Sequence, residues 1–211
     1  MELQNLTGEM LTDRIRSNAQ KKLLILIPAA VIILLTGIVL TLKLRAAGAV
    51  IGALLLAAVL YPLISLFPRW LHPEQADVFC KYGTPDSVAE QLRKGCGNVF
   101  FDNGRMVLTE LYVLDAQKPE MLLFFPHALT VYPDAVQGKE SYVAVYDEWG
   151  QKLRYPFTNG RQQVIKIDAV TDKIRRHNPK CRGGHRPEDL EYIRKNRIEL
   201  PEHPQQDDAG T

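Results

Sequence analysis

Two long apolar stretches dominate the pattern of hydrophobic and polar positions in this chain of 211 residues. They run from Leu23 to Leu42 and from Ala46 to Phe67, contain no charged side chain, and are separated by three residues, 43–45. Each is as long as the roughly 20 helical residues that cross the hydrocarbon core of a bilayer. The pattern therefore predicts a membrane protein with a two-helix transmembrane hairpin.

The segment before the first stretch, residues 1–22, has a different pattern. Its apolar side chains recur at helical spacing among charged ones: Leu3, Leu6, Met10, Leu11 and Ile15. This stripe predicts an amphipathic cytosolic helix that lies at the membrane interface, where the bilayer surface would cover its apolar side. The alternative is a frayed terminus.

After Pro73 the pattern becomes that of a soluble α+β domain, which we predict over residues 74–198. A short helix is expected after Thr84, since Pro85 and Asp86 suit its first turn. Two turn sequences, 102–104 and 147–150, separate strand-like runs, and the connections are too short for helical crossovers. The sequence therefore predicts an antiparallel meander or a small barrel, with strands in six runs: 99–101, 105–114, 121–125, 128–132, 141–146 and 153–157.

Two helical patterns follow the strands. In the first, apolar residues recur at three- and four-residue steps up to Asn178-Pro179, and this helix is expected to pack over the sheet and close it: Val164, Ile167, Val170, Thr171 and Ile174. A more polar helix is predicted from Pro187 to Arg197. Residues 199–211 form an acidic, proline-rich tail, which we predict to be disordered.

Charge is unevenly distributed, although the formal net charge is only +2. Residues 173–197 carry nine Lys and Arg against three acids, whereas the preceding part of the domain has more acids than bases. Anionic lipid headgroups or an acidic protein partner are the expected ligands of six of these cations: Lys173, Arg175, Arg176, Lys180, Arg182 and Arg186. The alternative is solvated charge that complements helix C-termini.

Lys and Arg are also more frequent on one side of the hairpin. Four precede the first stretch and two follow the second closely, against two in the connecting loop, so both termini are expected to be cytoplasmic. Gly48 and Gly52 form a small-residue face on the second helix. Its expected partner is the first helix, or else a second copy of the chain in a homodimer. Neither span contains an ionisable residue, which disfavours a transporter or channel.

The sequence offers no chemical site of a recognised type. Three cysteines, Cys80, Cys96 and Cys181, lack C-x-x-C spacing, which favours a reducing compartment over a disulfide framework. Only Cys181 and His185 are closely spaced, so no metal site is predicted. Serine-elbow, phosphate-loop and H-E-x-x-H patterns do not occur, so we predict neither catalytic residues nor a cofactor. Aromatic residues are not interleaved with the late cations, which disfavours nucleic acid.

This order of elements resembles uncharacterised bacterial, Firmicute-type families of small membrane proteins with a two-helix transmembrane hairpin followed by a PH-like domain. The local similarities are short: Tyr82-Gly83-Thr84-Pro85, Val107-Leu108-Thr109-Glu110, Val131-Tyr132, and Ile174 to Pro179 followed by Gly183-Gly184. The resemblance implies a PH-like domain on a multi-pass anchor in a bacterial plasma membrane, and it carries over no catalytic residue.

These patterns together favour a membrane-anchored interaction or scaffold module without catalysis of its own. The alternative is a small membrane enzyme, or an accessory subunit of a membrane enzyme or transporter complex. A deep pocket with convergent polar groups would favour that alternative.

Overall fold

The computed structural model describes residues 5–44, 46–95, 99–101, 105–135, 140–158 and 163–201. The chain forms two compact units. We call residues 12–76 the hairpin unit, and residues 1–11 together with 77–211 the sheet unit. Cys96, the predicted turn at 102–104 and most of the predicted tail, residues 202–211, lie outside the described residues.

Two long helices make up most of the hairpin unit: α1 runs from Gly8 to Leu44 and α2 from Ala46 to Leu71. Their most apolar windows have mean hydropathies of 3.0 and 2.5, yet only 11% and 6% of those windows is buried. Helices of a soluble core would be covered by protein, whereas apolar surface of this extent suits lipid. By length and composition both helices can cross a membrane, as predicted.

The two helices approach each other closely at a pair of glycines. A Cβ atom placed on Gly52 would lie 3.1 Å from the Cα of Gly37, and one placed on Gly37 would lie 3.3 Å from the Cα of Gly52. A side chain at either position would therefore push the backbones apart. Gly52 thus faces the other helix of the same hairpin. Gly48 also lies in α2, but its packing is outside what the structure describes.

The sheet unit contains two four-stranded sheets. The first is an antiparallel meander in the order β1-β2-β3-β4, and the second has the order β7-β6-β5-β8, in which only β8 is parallel to its neighbour. The strands are β1 Val99–Phe101, β2 Met106–Leu108, β3 Tyr112–Asp115, β4 Lys118–Phe124, β5 Ala128–Ala135, β6 Glu140–Asp147, β7 Lys152–Thr158 and β8 Arg182–Gly183.

Four α-helices in the described part of the chain complete this unit: α3 Asp77–Tyr82, α4 Pro85–Lys94, α5 Gln163–His177 and α6 Pro187–Asn196. The predicted α+β class is confirmed. As expected, Thr84 caps the start of α4: its hydroxyl accepts a hydrogen bond from the backbone N–H of Ser87 at 3.4 Å.

The predicted strand 105–114 is wrong as one element, because a turn divides it into β2 and β3. The Thr109 hydroxyl accepts hydrogen bonds from the backbone N–H groups of Leu111 and Tyr112 at 3.1 and 3.0 Å. Threonine can stabilise a turn in this way through its own side chain. A run of strand-forming residues therefore reverses direction without a glycine or proline.

The main core of the sheet unit lies between the two sheets and α5. Ile167, Val170 and Ile174 of α5 are all buried in it, as their spacing predicted, whereas the side chain of Val164 lies outside the described part. The sheets contribute alternating apolar side chains: Met106, Leu108, Val113, Leu123, Val131, Val143, Val145, Leu153, Tyr155 and Phe157. Helix α5 thus covers apolar surface that both sheets would otherwise expose.

The N-terminal segment takes part in a second apolar contact of the sheet unit. Leu6 and Leu11 are only 1% and 2% exposed. Leu11 lines a closed apolar space together with residues of α3, α4 and the first sheet, among them Phe79 and Leu92. A Cβ atom on Gly8 would lie 2.7 Å from the backbone nitrogen of Asp86, so this segment packs tightly on the start of α4.

This packing differs from the predicted interfacial helix over residues 1–22. The apolar stripe is present, but protein rather than bilayer covers Leu6 and Leu11. The segment also continues without a break into the first long helix, since α1 begins at Gly8.

Candidate functional site

The six predicted cations do not form a single surface. Lys173 points to the turn between β2 and β3, where its ammonium donates to the Thr109 carbonyl at 3.1 Å and pairs with the Glu110 carboxylate at 2.5 Å. The hydrogen bond from Lys173 lowers the pKa of Glu110, and Arg176 and His177 act on the same carboxylate electrostatically. This part of the basic segment therefore holds α5 to the first sheet.

The remaining predicted cations lie around β8 and the start of α6. The Arg182 guanidinium stacks on the Tyr192 ring at 4.1 Å, and Arg175 reaches towards Gly183. Lys180 and Arg186 are exposed. The Arg186 backbone N–H donates to the Asp189 carboxylate at 2.9 Å and so begins α6. These four cations therefore lie near β8, the edge strand of the second sheet.

The second sheet carries a polar and aromatic outer surface that the sequence motifs do not predict. Paired residues of neighbouring strands place their side chains on the same side of a sheet. Thr130 pairs with Tyr146 and with Arg182, and Tyr146 pairs with Lys152. We call this surface the tyrosine face and define it by nine residues: Thr130, Tyr132, Asp134, Tyr142, Tyr146, Lys152, Arg154, Arg182 and His185.

An alternation in the sequence could have revealed part of this face. Tyr142, Ala144 and Tyr146 alternate along β6 with the core residues Val143 and Val145, and the two tyrosines are partly exposed. Lys152 and Arg154 alternate in β7 in the same way. This period-two pattern identifies the strands but does not by itself assign a role to the outward-facing residues.

Three aromatic rings are layered on the tyrosine face. The His185 ring is nearly parallel to that of Tyr132, with centroids 4.7 Å apart and planes 11° apart, and it also lies 6.1 Å from Tyr146. The Lys152 ammonium is 5.2 Å from the Tyr132 ring centroid, within range of a cation–π contact. Gly184, with a φ of +143°, precedes His185 and donates its N–H to the Val131 carbonyl at 3.2 Å. The chain after β8 thus places an imidazole over the two tyrosines.

The charges of this face converge on one carboxylate oxygen. Asp134 Oδ2 accepts from Arg154 Nε and Nη2 at 2.9 and 2.6 Å, and from Lys152 Nζ at 3.0 Å. The hydrogen bond from Arg154 lowers the pKa of Asp134, and Lys152 adds to this effect. One acid therefore holds two cations side by side above the tyrosines.

Two hydroxyl groups on the tyrosine face are buried without a hydrogen-bond partner among the described residues: Thr130 Oγ1 and Tyr132 Oη. Thr130 is 0% and Tyr132 is 7% exposed. Burial raises the pKa of Tyr132, and the neighbouring Lys152 ammonium opposes this rise. Because buried polar groups are nearly always hydrogen-bonded, two such hydroxyls on one strand are unusual.

A separate ionic cluster joins α3 to the turn between β6 and β7. The side chains of Lys81 and Asp147 are 3% and 0% exposed and form an ion pair, and Lys81 also donates to Gln151 Oε1. Asp147 Oδ1 accepts from the Gln151 backbone N–H at 2.8 Å. Trp149 lies over the Lys81 ammonium and stacks on His127, whose Nδ1 is 2.7 Å from Glu148 Oε1. These mutual contacts make the cluster a structural link between two elements.

The two cysteines that the structure describes, Cys80 and Cys181, are buried, and neither forms a disulfide within the described residues. Burial raises the pKa of Cys181 to about 12. His185, which is close to Cys181 in sequence, stacks on Tyr132. Among the described residues no group of three His, Cys, Asp or Glu side chains could hold a metal ion.

The resemblance to membrane proteins with a PH-like domain rests on short sequence patterns and on the order of the elements. Comparison with known proteins gives no match: no family model, no curated protein and no solved structure is significantly similar to this chain. The geometry of the sheet unit is therefore the basis for any assignment of function.

Proposed function

We propose that this protein is a membrane-anchored interaction module, which presents a PH-like domain at the cytosolic side of a bacterial plasma membrane and has no catalytic activity of its own. The observation that carries the proposal is the composition of the sheet unit. Leu6 precedes the two long helices and Leu11 lies near the start of α1, and both are buried in one unit with residues that follow the second long helix. Segments that share a core must lie on the same side of a membrane, and two crossings return the chain to that side.

The order of elements supports the PH-like assignment. An antiparallel meander, β1 to β4, is followed by the antiparallel strands β5 to β7 and then by α5, whose apolar side lies over the core. The resemblance implies this arrangement, namely antiparallel strands with a closing C-terminal helix.

An interaction role is also favoured because the buried charged groups pair with one another, whereas other cations are exposed. The buried ions Lys81 and Asp147 bind each other, and Lys173 is held by Glu110. The closed space beside Leu11 is lined by apolar side chains, whereas an enzyme would need a cleft with convergent polar groups. The exposed cations around β8 remain available to a lipid headgroup or an acidic partner.

The membrane arrangement can be tested with single cysteines introduced near each end, at Asn5 and at Glu199, in full-length protein that lacks its own cysteines. In intact cells a membrane-impermeant thiol reagent should label neither site, and in inside-out vesicles it should label both. Labelling of one site in cells and of the other only in vesicles would place the two ends on opposite sides and overturn the proposal.

The interaction role needs a separate experiment on protein purified from membranes. We expect full-length protein in mild detergent to retain a stoichiometric partner protein or anionic lipid. Reversal of charge at Arg175 and Arg182 together, each to Glu, should remove it. The matched control reverses Lys195 and Arg194, which lie near the end of α6. The proposal would be contradicted if the unaltered protein, the Arg175 and Arg182 variant and the control retained the partner or lipid equally, or if none of them retained it.

A further inference from the structure

We infer that the tyrosine face binds a phosphate ester, carried either by an anionic lipid headgroup or by a soluble compound. This inference deepens the proposed function, on which it rests, by naming a ligand class and a site. The first observation is the surplus of donors. Lys152, Arg154 and Arg182 bring ammonium and guanidinium groups to one side of the second sheet, where Thr130 and Tyr132 add hydroxyls.

The donors select the chemistry of the ligand. Ammonium and guanidinium groups can only donate hydrogen bonds, and Asp134 is the single carboxylate of the tyrosine face. Its Oδ2 already accepts three bonds from Arg154 and Lys152. A ligand must therefore offer several acceptor oxygens and negative charge. A phosphate ester has several acceptor oxygens that do not lie in one plane. Such an arrangement fits donors that come from three different strands.

The buried hydroxyls are the second observation, and it is independent of charge. Tyr132 Oη is over nine-tenths buried on this face and has no hydrogen-bond partner in the described part of the chain. An unpaired buried hydroxyl destabilises a protein, so its presence here indicates a group that pairs with a ligand. An acceptor oxygen bound beside Lys152 would satisfy it.

His185 covers the site in this structure. Its ring stacks on Tyr132 while the residue itself is exposed, and Gly183 and Gly184 precede it. A bound ester therefore displaces or shifts the imidazole from its place over Tyr132. The nuclear magnetic resonance (NMR) signals of the His185 ring, which lies against two tyrosines, provide a direct probe of that movement.

The test uses full-length protein in nanodiscs of neutral phosphatidylcholine, titrated with glycerol 3-phosphate while the His185 ring signals are followed. We expect a saturable shift. Replacement of Lys152 by Met should weaken binding about tenfold, since it removes a charge-assisted donor. Tyr132→Phe should weaken it severalfold while leaving stability unchanged or higher, because it removes an unpaired hydroxyl. A merely structural role of Tyr132 predicts a loss of stability instead.

One variant should bind more tightly. Asp134→Asn removes the carboxylate that competes for Lys152 and Arg154, so we expect affinity for glycerol 3-phosphate to rise severalfold. Lys195→Met, which changes an exposed cation on α6, serves as the matched control and should leave affinity unchanged. Weaker binding by Asp134→Asn, or equal weakening by Lys195→Met, would overturn the site.

A second arm identifies the source of the phosphate. When the neutral nanodiscs are replaced by ones that contain phosphatidylglycerol, a lipid ligand should shift the His185 signals before any titrant is added. An unchanged spectrum, together with binding of glycerol 3-phosphate, would assign the site to a soluble compound. Absence of any saturable shift would overturn this inference alone, provided that the cysteine labelling still places both ends on one side.

Discussion

The buried ion pair of Lys81 and Asp147 allows a quantitative prediction. Replacement of Lys81 by Met leaves a carboxylate that is fully buried and has lost its countercharge. Breaking such a pair typically costs about 3–5 kcal/mol. Since Asp147 keeps its hydrogen bond from the Gln151 backbone, we expect a loss near the lower end, about 3 kcal/mol in the free energy of unfolding.

Urea unfolding of the full-length protein in detergent can measure this loss. The chain has two tryptophans, so a Trp70→Phe background leaves Trp149, which lies 5.2 Å from the Lys81 ammonium, as the only source of tryptophan fluorescence. The matched control is Lys195→Met, which breaks an exposed pair with Glu191 and should change the free energy of unfolding by less than about 0.5 kcal/mol.

A double-mutant cycle completes the test. Adding Asp147→Asn to Lys81→Met removes the unpaired charge, so the double variant should regain more than half of the lost stability. The reasoning would be refuted if Lys81→Met proved as mild as Lys195→Met, or if the two losses simply added.

Three further outcomes are expected. Leu6→Ala should lower the free energy of unfolding of the sheet unit by about 3 kcal/mol in a urea titration, whereas the exposed Met10→Ala should have little effect; similar values would argue against an N-terminal role in the core. Gly52→Leu should separate the two long helices and reduce disulfide crosslinking between cysteines placed on them, while Ala58→Leu, on an exposed position of α2, should not. Cys181, in a variant whose other two cysteines are serine, should react with a thiol reagent at pH 8 only after unfolding, because burial raises its pKa to about 12; fast labelling of native protein would contradict this.

The sequence predicted those elements whose signals are local. The long helices follow from uninterrupted apolar stretches, α5 and most strands follow from periodicity, and the start of α4 follows from Thr84. Periodicity cannot say what covers an apolar stripe, so Leu6 and Leu11 were assigned to the bilayer although protein buries them. That outcome depends on residues far along the chain.

The parts that could not be predicted depend on contacts between distant residues. Strand β8 has only two residues and owes its place to pairing with β5. Lys81 and Asp147 are 66 positions apart, and nothing local marks them as partners. Likewise, the tyrosine face exists only when β5, β6 and β7 lie side by side, since each strand alone supplies an ordinary alternation.

The place of the N-terminal residues also determines when the protein can fold. Residues 5–11 are synthesised before most of the two long helices, whereas Phe79 and Leu92, which line the same apolar space as Leu11, are made only after both. In a chain whose two helices cross a bilayer, residues 5–11 must stay on the side of the membrane to which the residues after α2 return. A molecule with one failed crossing keeps the two segments apart and leaves Leu6 and Leu11 exposed to chaperones and proteases. In such a chain, this core can be completed only after both helices have crossed the bilayer.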